Sequence, residues 1–163
     1  MTAPPSYQCA VISLAMLITI IAGCDQTPPA PTTQVVHIGG RAFELELALD
    51  TESRYQGLSN RAEIATGSGM LFVFAQSRKL DFVMRDCLVP IDIIFLDPGG
   101  RVVRMHAMQP EPAETPEAEL TRYSSRYKAQ FSIELRGGTL AELGLNEGDR
   151  IALPLNELKR HAR

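Results

Sequence analysis

Residues 81–100 read DFVMRDCLVPIDIIFLDPGG, and within them Ile91-Asp92-Ile93-Ile94-Phe95-Leu96 is the densest run of strand-forming residues in the chain. A run so nearly continuous in apolar residues is the pattern of a strand covered on both faces. Gly99-Gly100 offer a turn, and Arg101-Val102-Val103-Arg104-Met105 reads as the returning strand. Asp92 does not fit its surroundings. An ionised acid among five apolar residues costs several kcal/mol unless it is paired or hydrogen-bonded. Asp92 is therefore expected either as the partner of Arg54 or Arg61 beneath the sheet or as part of a binding site.

Upstream, Met70-Leu71-Phe72-Val73-Phe74 is a second strong strand, and Phe43-Glu44-Leu45-Glu46-Leu47 alternates as a half-buried one. Val35 to Ile38 reads as a first strand, with Gly39-Gly40 as a tight hairpin turn. His37 beside it reads as an edge residue, since no second metal ligand stands at a chelating spacing. Asp50 to Gly57 is a short helix, capped by Asp50 or Thr51 and ended by Gly57. Gln76 to Asp81 reads as a polar loop, after which Phe82 re-enters the core.

Downstream, Gln109 to Lys128 opens acidic and Pro-rich and cannot continue a sheet interior. It reads as a binding loop or a bland insertion, with a helical turn or two between Glu117 and Tyr127. Phe131-Ser132-Ile133-Glu134-Leu135 alternates as a strand. Thr139-Leu140-Ala141-Glu142 spells a capping box, Gly144 ends that helix, and Arg150 to Leu153 reads as a last strand. Residues 156–163 are a basic tail, expected to fray.

The chain has 163 residues, enough for one domain with a real core. Its formal net charge is -3, with no block of like charge and no Trp. That composition argues against a nucleic-acid partner.

The N-terminus carries the most specific signal. Ala10 to Ala22, AVISLAMLITIIA, is apolar and uncharged. It is short of the ~20 residues that span a bilayer and fits the ~7–15 of a signal-peptide apolar region. It ends in Ile21-Ala22-Gly23-Cys24, which resembles the lipobox of bacterial lipoproteins, where the peptide is cut before a Cys that is then lipidated. The segment before the run has no Lys or Arg, unlike an ordinary signal peptide. Residues 1–23 are thus read as a lipoprotein signal peptide and 24–34 as a Pro/Thr-rich tether. Residues 35–155 are read as the folded domain. Acyl chains on Cys24 would anchor that domain to a lipid bilayer, in the cell envelope facing the periplasm or exterior. Asp25 resembles the signal that keeps lipoproteins in the inner membrane. Cys87 is then the one remaining thiol of the mature chain, and it reads as a small buried residue.

Several separated blocks share one order. They are Arg54-x-x-Gly57-Leu58-x-x-Arg61, Gly69-Met70-Leu71-Phe72-x-Phe74, Phe82-x-Met84 and Pro90-x-Asp92-Ile93-Ile94-Phe95-Leu96-Asp97. Ile133-Glu134-Leu135, Gly138 and Gly148-Asp149 follow. Together they resemble the Domain of Unknown Function 192 family of prokaryotic, commonly exported proteins, over roughly Phe43 to Leu153. The chain departs from the family pattern at Val83, where Trp is usual, and at Asp86-Cys87, where Asn-Thr is usual. The resemblance implies a mostly β domain, a single antiparallel sandwich or barrel-like unit with two or three short helices. It implies no settled activity.

No G-x-S-x-G, phosphate-cradling Gly loop, H-E-x-x-H or C-x-x-C is present, and the three His are scattered. No cofactor and no metal is implied. The polar constellation that remains is Arg54, Arg61, Met84, Asp86 and Asp92, expected as a ligand-binding cleft edge. On this reading the protein is a non-catalytic module that binds a small ligand or an envelope protein. The alternative is a small hydrolase-like enzyme with Asp86 or Asp92 as base, which requires a second carboxylate or His106 at the same pocket. The lipid anchor has its own test. Cells grown with labelled palmitate should mark the wild-type chain and leave Cys24→Ala unlabelled, and equal labelling of both would refute it.

Overall fold

The computed structural model describes residue 1 and residues 32–163. The signal peptide, Cys24 and almost all of the tether lie outside the described residues. The described elements run β1 (Thr33–Ile38), β2 (Arg41–Ala48), α1 (Thr51–Gln56), β3 (Ser68–Phe82), β4 (Ile91–Leu96), β5 (Val102–Met108), β6 (Tyr123–Arg136), α2 (Thr139–Leu143) and α3 (Leu155–His161). The protein is mostly β with three short helices, as its sequence implies. The strands make one open sheet in the order β1-β2-β3-β6-β4-β5, not a sandwich or a barrel. It is mixed: β2 and β3 pair in parallel, and every other pair is antiparallel. Parallel neighbours need a crossover rather than a hairpin. The segment holding α1 is that crossover, and it lies beside the sheet.

β4 is buried at every position, as its apolar run demands. Its side chains divide by parity. Ile94 and Leu96 join one core with Leu71, Val73, Phe131, Ile133 and Leu135. Ile91, Ile93 and Phe95 join the other with Met70, Phe72, Phe74, Leu58 and Met84. Leu143 and Leu158, from α2 and α3, cover the first face. The connections after α1 and before β4 cover the second.

Asp92 shares parity with Ile94, so it faces the α2 side. It is 1% exposed, and its carboxylate accepts the Leu140 backbone N–H at 2.7 Å. The arginine pairing expected of it does not form. Arg61 makes a two-pronged pair with Glu46, at 2.6 and 2.7 Å. Arg54 donates to the Val73 carbonyl at 2.9 Å and to the main-chain oxygen of Arg163 at 2.6 Å. The capping box of α2 is also absent. The Thr139 hydroxyl donates to the Arg136 carbonyl, and Glu142 pairs with Arg41. Asp92 supplies from across the sheet the acceptor that the helix start needs.

Other segments differ from their sequence reading. Gln76 to Asp81 is strand, part of the 15-residue β3, interrupted by register shifts after Val73 and after Lys79. Tyr123 to Lys128 is the start of β6 rather than helix or loop. Arg150 to Leu153 is not a strand; Arg150 makes one isolated bridge to Arg101. The basic tail is α3, pinned by the buried Leu158, because Leu155 and Leu158, three residues apart in LNELKRH, fall on one face of the helix and turn to the core. β1 begins two residues before Val35. The Gly39-Gly40 hairpin and the α1 caps at Asp50 and Gly57 form as read. His37 is exposed on the β1 edge.

Removing a buried acceptor that holds one N–H costs about 1–3 kcal/mol. Asp92→Ala should lower the melting temperature by roughly 2–8 °C per kcal/mol lost, and Asp92→Asn, which keeps an acceptor, by less. Asp92 and Arg54 lie on opposite faces with no shared partner. Thermal unfolding of the double variant should show additive losses to within ~0.5 kcal/mol, and a coupling of several kcal/mol would contradict the separation.

Candidate functional site

On the face opposite α2, the sheet carries a row that its register fixes. Glu46 of β2, Met70 of β3, Glu134 of β6, Ile93 of β4 and His106 of β5 stand side by side. Glu134 is in the middle of the sheet. It is 5% exposed, and its carboxyl makes no hydrogen bond among the described residues. Above it lies a cleft of about 340 Å3 with Phe72, Phe74, Phe82 and Leu58 in its walls. Small-molecule sites start at ~300 Å3, so this cleft is at the small end of that class.

Gly57 explains how the carboxyl stays open to the cleft. A Cβ there would lie 3.9 Å from Glu134 Oε2 and 3.5 Å from the Phe72 ring. The glycine's φ of +51° is also one that side-chain-bearing residues rarely adopt. Ending α1 with this glycine leaves space directly over the acid.

The rim is rich in arginine. Arg54 and Arg78 both lie over the Phe74 ring, at 5.3 and 5.4 Å from its centre. Arg85 stacks on Tyr55 at 3.7 Å, donates to the Tyr55 carbonyl, and pairs with Glu117 at 3.3 Å. Arg122 completes the set, and Asp81 is the other exposed acid of the lining. Neither Arg78 nor Arg122 makes a salt bridge among the described residues.

Burial pushes the Glu134 carboxyl up to about 8, with Arg61 pulling weakly the other way. At neutral pH it is therefore a neutral acid able to donate a hydrogen bond. Cys87 also lines the cleft and is half-buried. Burial, followed by the charges of Glu134 and Asp86, pushes its thiol up to about 11 against the Ser59 hydroxyl and Arg85. It is not a thiolate nucleophile at neutral pH.

The residues expected to form a single site are dispersed. Arg54 lines this cleft. Arg61 is engaged with Glu46 beside it. Met84 is core, 2% exposed, and with Asp86 borders a separate recess of about 140 Å3 under Glu111 and Leu120. Asp92 lies on the far face. His106 points its Nε2 at the Ser124 carbonyl, 2.8 Å away, with its ring between Phe95 and Tyr123. Asp92 and His106 are on opposite faces, so the hydrolase arrangement that joins them does not exist. Among the described residues, no group of three His, Cys, Asp or Glu side chains is placed to hold a metal. A broader groove between Ala62–Thr66 and Pro90–Gly137 has no such buried polar group.

Glu134 does not stand out in the sequence because its alternating strand implies a solvated polar face. The available signal is the Ile133-Glu134-Leu135 block, one of those that carry the family resemblance. Comparison with known proteins agrees with that resemblance. Residues 34–153 match the model of a family described as DUF192, Uncharacterized ACR. A crystal structure from Sinorhizobium meliloti, provisionally described as a transcription regulator, is similar at 31% identity and TM-score 0.60, covering 74% of this chain and 90% of that one. A protein of unknown function from Novosphingobium aromaticivorans is similar at 26% identity and TM-score 0.65, covering 74% and 85%. No curated protein matches the chain.

The acid at the cleft floor has a thermodynamic signature. The unfolded chain releases the Glu134 proton near ~4.3, whereas the folded chain keeps it to about 8. Between these limits the folded state binds more protons, so wild-type stability falls as pH rises. Glu134→Gln does not titrate. Its stability, followed by thermal unfolding, should gain on the wild type through that window, by at most about 1.4 kcal/mol per pH unit, and level off above about 8. A constant difference across the window would mean that Glu134 is solvated or paired.

Proposed function

The chain belongs to the DUF192 family of uncharacterised proteins, and from that premise we propose that it is a membrane-tethered module of the bacterial envelope that binds a small organic anion in the arginine-rimmed cleft without turning it over. The observation that carries this reading is the pair Arg54 and Arg78 on one phenylalanine ring, neither in a salt bridge to an Asp or Glu side chain among the described residues, with Arg54 held by the main-chain oxygens of Val73 and Arg163 and Arg78 left open. Burial lowers the proton affinity of Arg54, Asp50 raises it, and Arg78 lowers it further, the last being repulsion between the two guanidiniums. An anion between two such groups relieves that repulsion and gains charge-assisted hydrogen bonds.

The walls supply the rest. Phe72, Phe74 and Phe82 pack edge to face, so the ligand's body meets rigid apolar surface. With Glu134 neutral, four arginines face the two exposed acids Asp81 and Glu117. The cleft is therefore positive on a chain whose formal net charge is -3. What favours binding without turnover is that Cys87 is a protonated thiol and that no His lines the cleft beside Glu134, Asp81 and Glu117. The tether rests on the lipobox at Cys24 and the apolar run before it. It would hold the cleft within the envelope, where small solutes pass.

The test uses the full chain in detergent micelles and proton saturation-transfer NMR. Benzoate should bind and benzylammonium should not. Arg78→Ser should weaken benzoate by roughly 10–100-fold, the worth of a charge-assisted hydrogen bond of about 1.5–3 kcal/mol. Added salt should weaken it further. Preference for the cation, or indifference to Arg78, would refute the anion reading.

A further inference from the structure

Glu134 is a polar side chain more than nine-tenths buried, without a hydrogen-bond partner among the described residues, and open to a cleft. Such groups are rare in folded proteins, and each calls for an explanation. The other buried polar side chains of its strand face mark the contrast. Gln130 donates to the carbonyls of Phe74 and Ala75, and Ser132 lies sealed beneath the phenylalanines, outside the cleft lining. Only Glu134 meets the cavity.

We infer that Glu134 is the specificity residue of the cleft, a carboxylic acid whose proton is donated to an acceptor oxygen or nitrogen on the buried end of the anionic ligand. This inference rests on the anion reading above. The ligand class is an organic anion with two ends, a charged group held at the rim by Arg54 and Arg78 and an uncharged acceptor, such as a carbonyl, at the floor.

The groups around Glu134 favour donation over the competing choice, a buried ammonium paired with an ionised Glu134. From β2 and the segment after α1, Glu46 and Arg61 neutralise one another. From α1 and β3 come Arg54, Arg78 and Asp81; from the β3–β4 connection come Arg85 and Cys87; from the β5–β6 connection come Glu117 and Arg122. His106, in the same row two strands away, is turned to the Ser124 carbonyl. Their sum over the cleft is positive, which repels a cation on entry. The floor is apolar, so an ionised acid there would be penalised. A neutral donor needs neither charge, and burial keeps Glu134 protonated up to about pH 8. Without an acceptor its proton has no partner; with one, the desolvation already suffered on folding makes the bond selective, because a ligand lacking the acceptor leaves the acid unpaired.

The probes are para-acetylbenzoate, which has a carboxylate and a ketone, and para-isopropylbenzoate, of nearly the same shape without the acceptor. The para-(aminomethyl)benzoate zwitterion represents the ammonium alternative. Each is titrated into the full chain in micelles. Below pH 8 the ketone should bind roughly three- to tenfold tighter than the isopropyl compound. That preference should vanish as pH rises above about 8, where Glu134 loses its proton. Glu134→Gln keeps a donor and should hold the preference at every pH. Glu134→Leu should erase it while benzoate still binds. Equal binding of ketone and isopropyl compounds, together with loss of both in Arg78→Ser, would overturn the role of Glu134 and leave the anion reading standing. Tighter binding of the aminomethyl compound, growing as pH rises through about 8, would also overturn it. No binding by any of the benzoates would overturn both.

Discussion

A strand in the middle of a sheet has no free edge and, when both faces are covered, no free face. β6 is in that position, between β3 and β4. One of its faces is apolar, with Phe131, Ile133 and Leu135, and the other is a polar column of Gln130, Ser132 and Glu134, all buried. Each member of that column meets the constraint differently. The register of β3 shifts after Val73, and the freed Phe74 and Ala75 carbonyls receive the Gln130 amide. Ser132 is enclosed, and its hydroxyl has no partner among the described residues. Glu134 gives up its charge and opens into a cleft. The cleft therefore stands where the pairing of the sheet leaves an acid over, and the walls around it follow from what keeps water off that strand.

Much of this architecture is legible from local pattern. β4 announces itself because burial on both faces leaves no room for polar alternation. α1 is bounded because Asp50 accepts from Ser53 and Gly57 takes a positive φ, both short-range effects. What is not legible depends on which face a neighbour occupies. Asp92 is a buried acid and Arg54 a half-buried arginine, as expected of partners, but the parity of β4 turns Asp92 toward α2 while α1 crosses the other face. A pattern that is apolar on both sides cannot reveal which side receives the arginine. The reverse error hides Glu134. Alternation in β6 implies one wet face, yet the β5–β6 connection and the end of α1 roof it. The pairing of Thr139 with Glu142 fails for the same long-range reason, since Arg41 claims the glutamate and Asp92 takes the backbone N–H.

The two buried acids show how partners decide role. Asp92 is bonded to a helix start, and its position is a structural necessity of α2. Glu134 has comparable burial and no bond, so its protonation does the work that a partner does for Asp92. The chain's departures from its family pattern cluster at the same place. Val83 and Cys87 line the main cleft, and Asp86 with Cys87 borders the recess beside it.

The rim has a different mechanical character from the floor. The floor is carried by β3, β4 and β6, whose ladder hydrogen bonds and phenylalanine packing resist local opening. The rim is assembled from four chain segments and joined through Arg85, which meets α1 through Tyr55 and the β5–β6 connection through Glu117. Glu117 is more than half exposed, and an ion pair of that kind contributes at most ~1 kcal/mol. The β5–β6 connection is further held by Leu120 in the core and by the Thr121 N–H on Glu111. Opening the Arg85–Glu117 pair would free Arg85 from the β5–β6 connection while Leu120 still holds that connection to the core. On the proposed anion reading, a cleft so built would admit a ligand to a rigid acid past a weakly held arginine rim, with selectivity set at the floor and access at the surface.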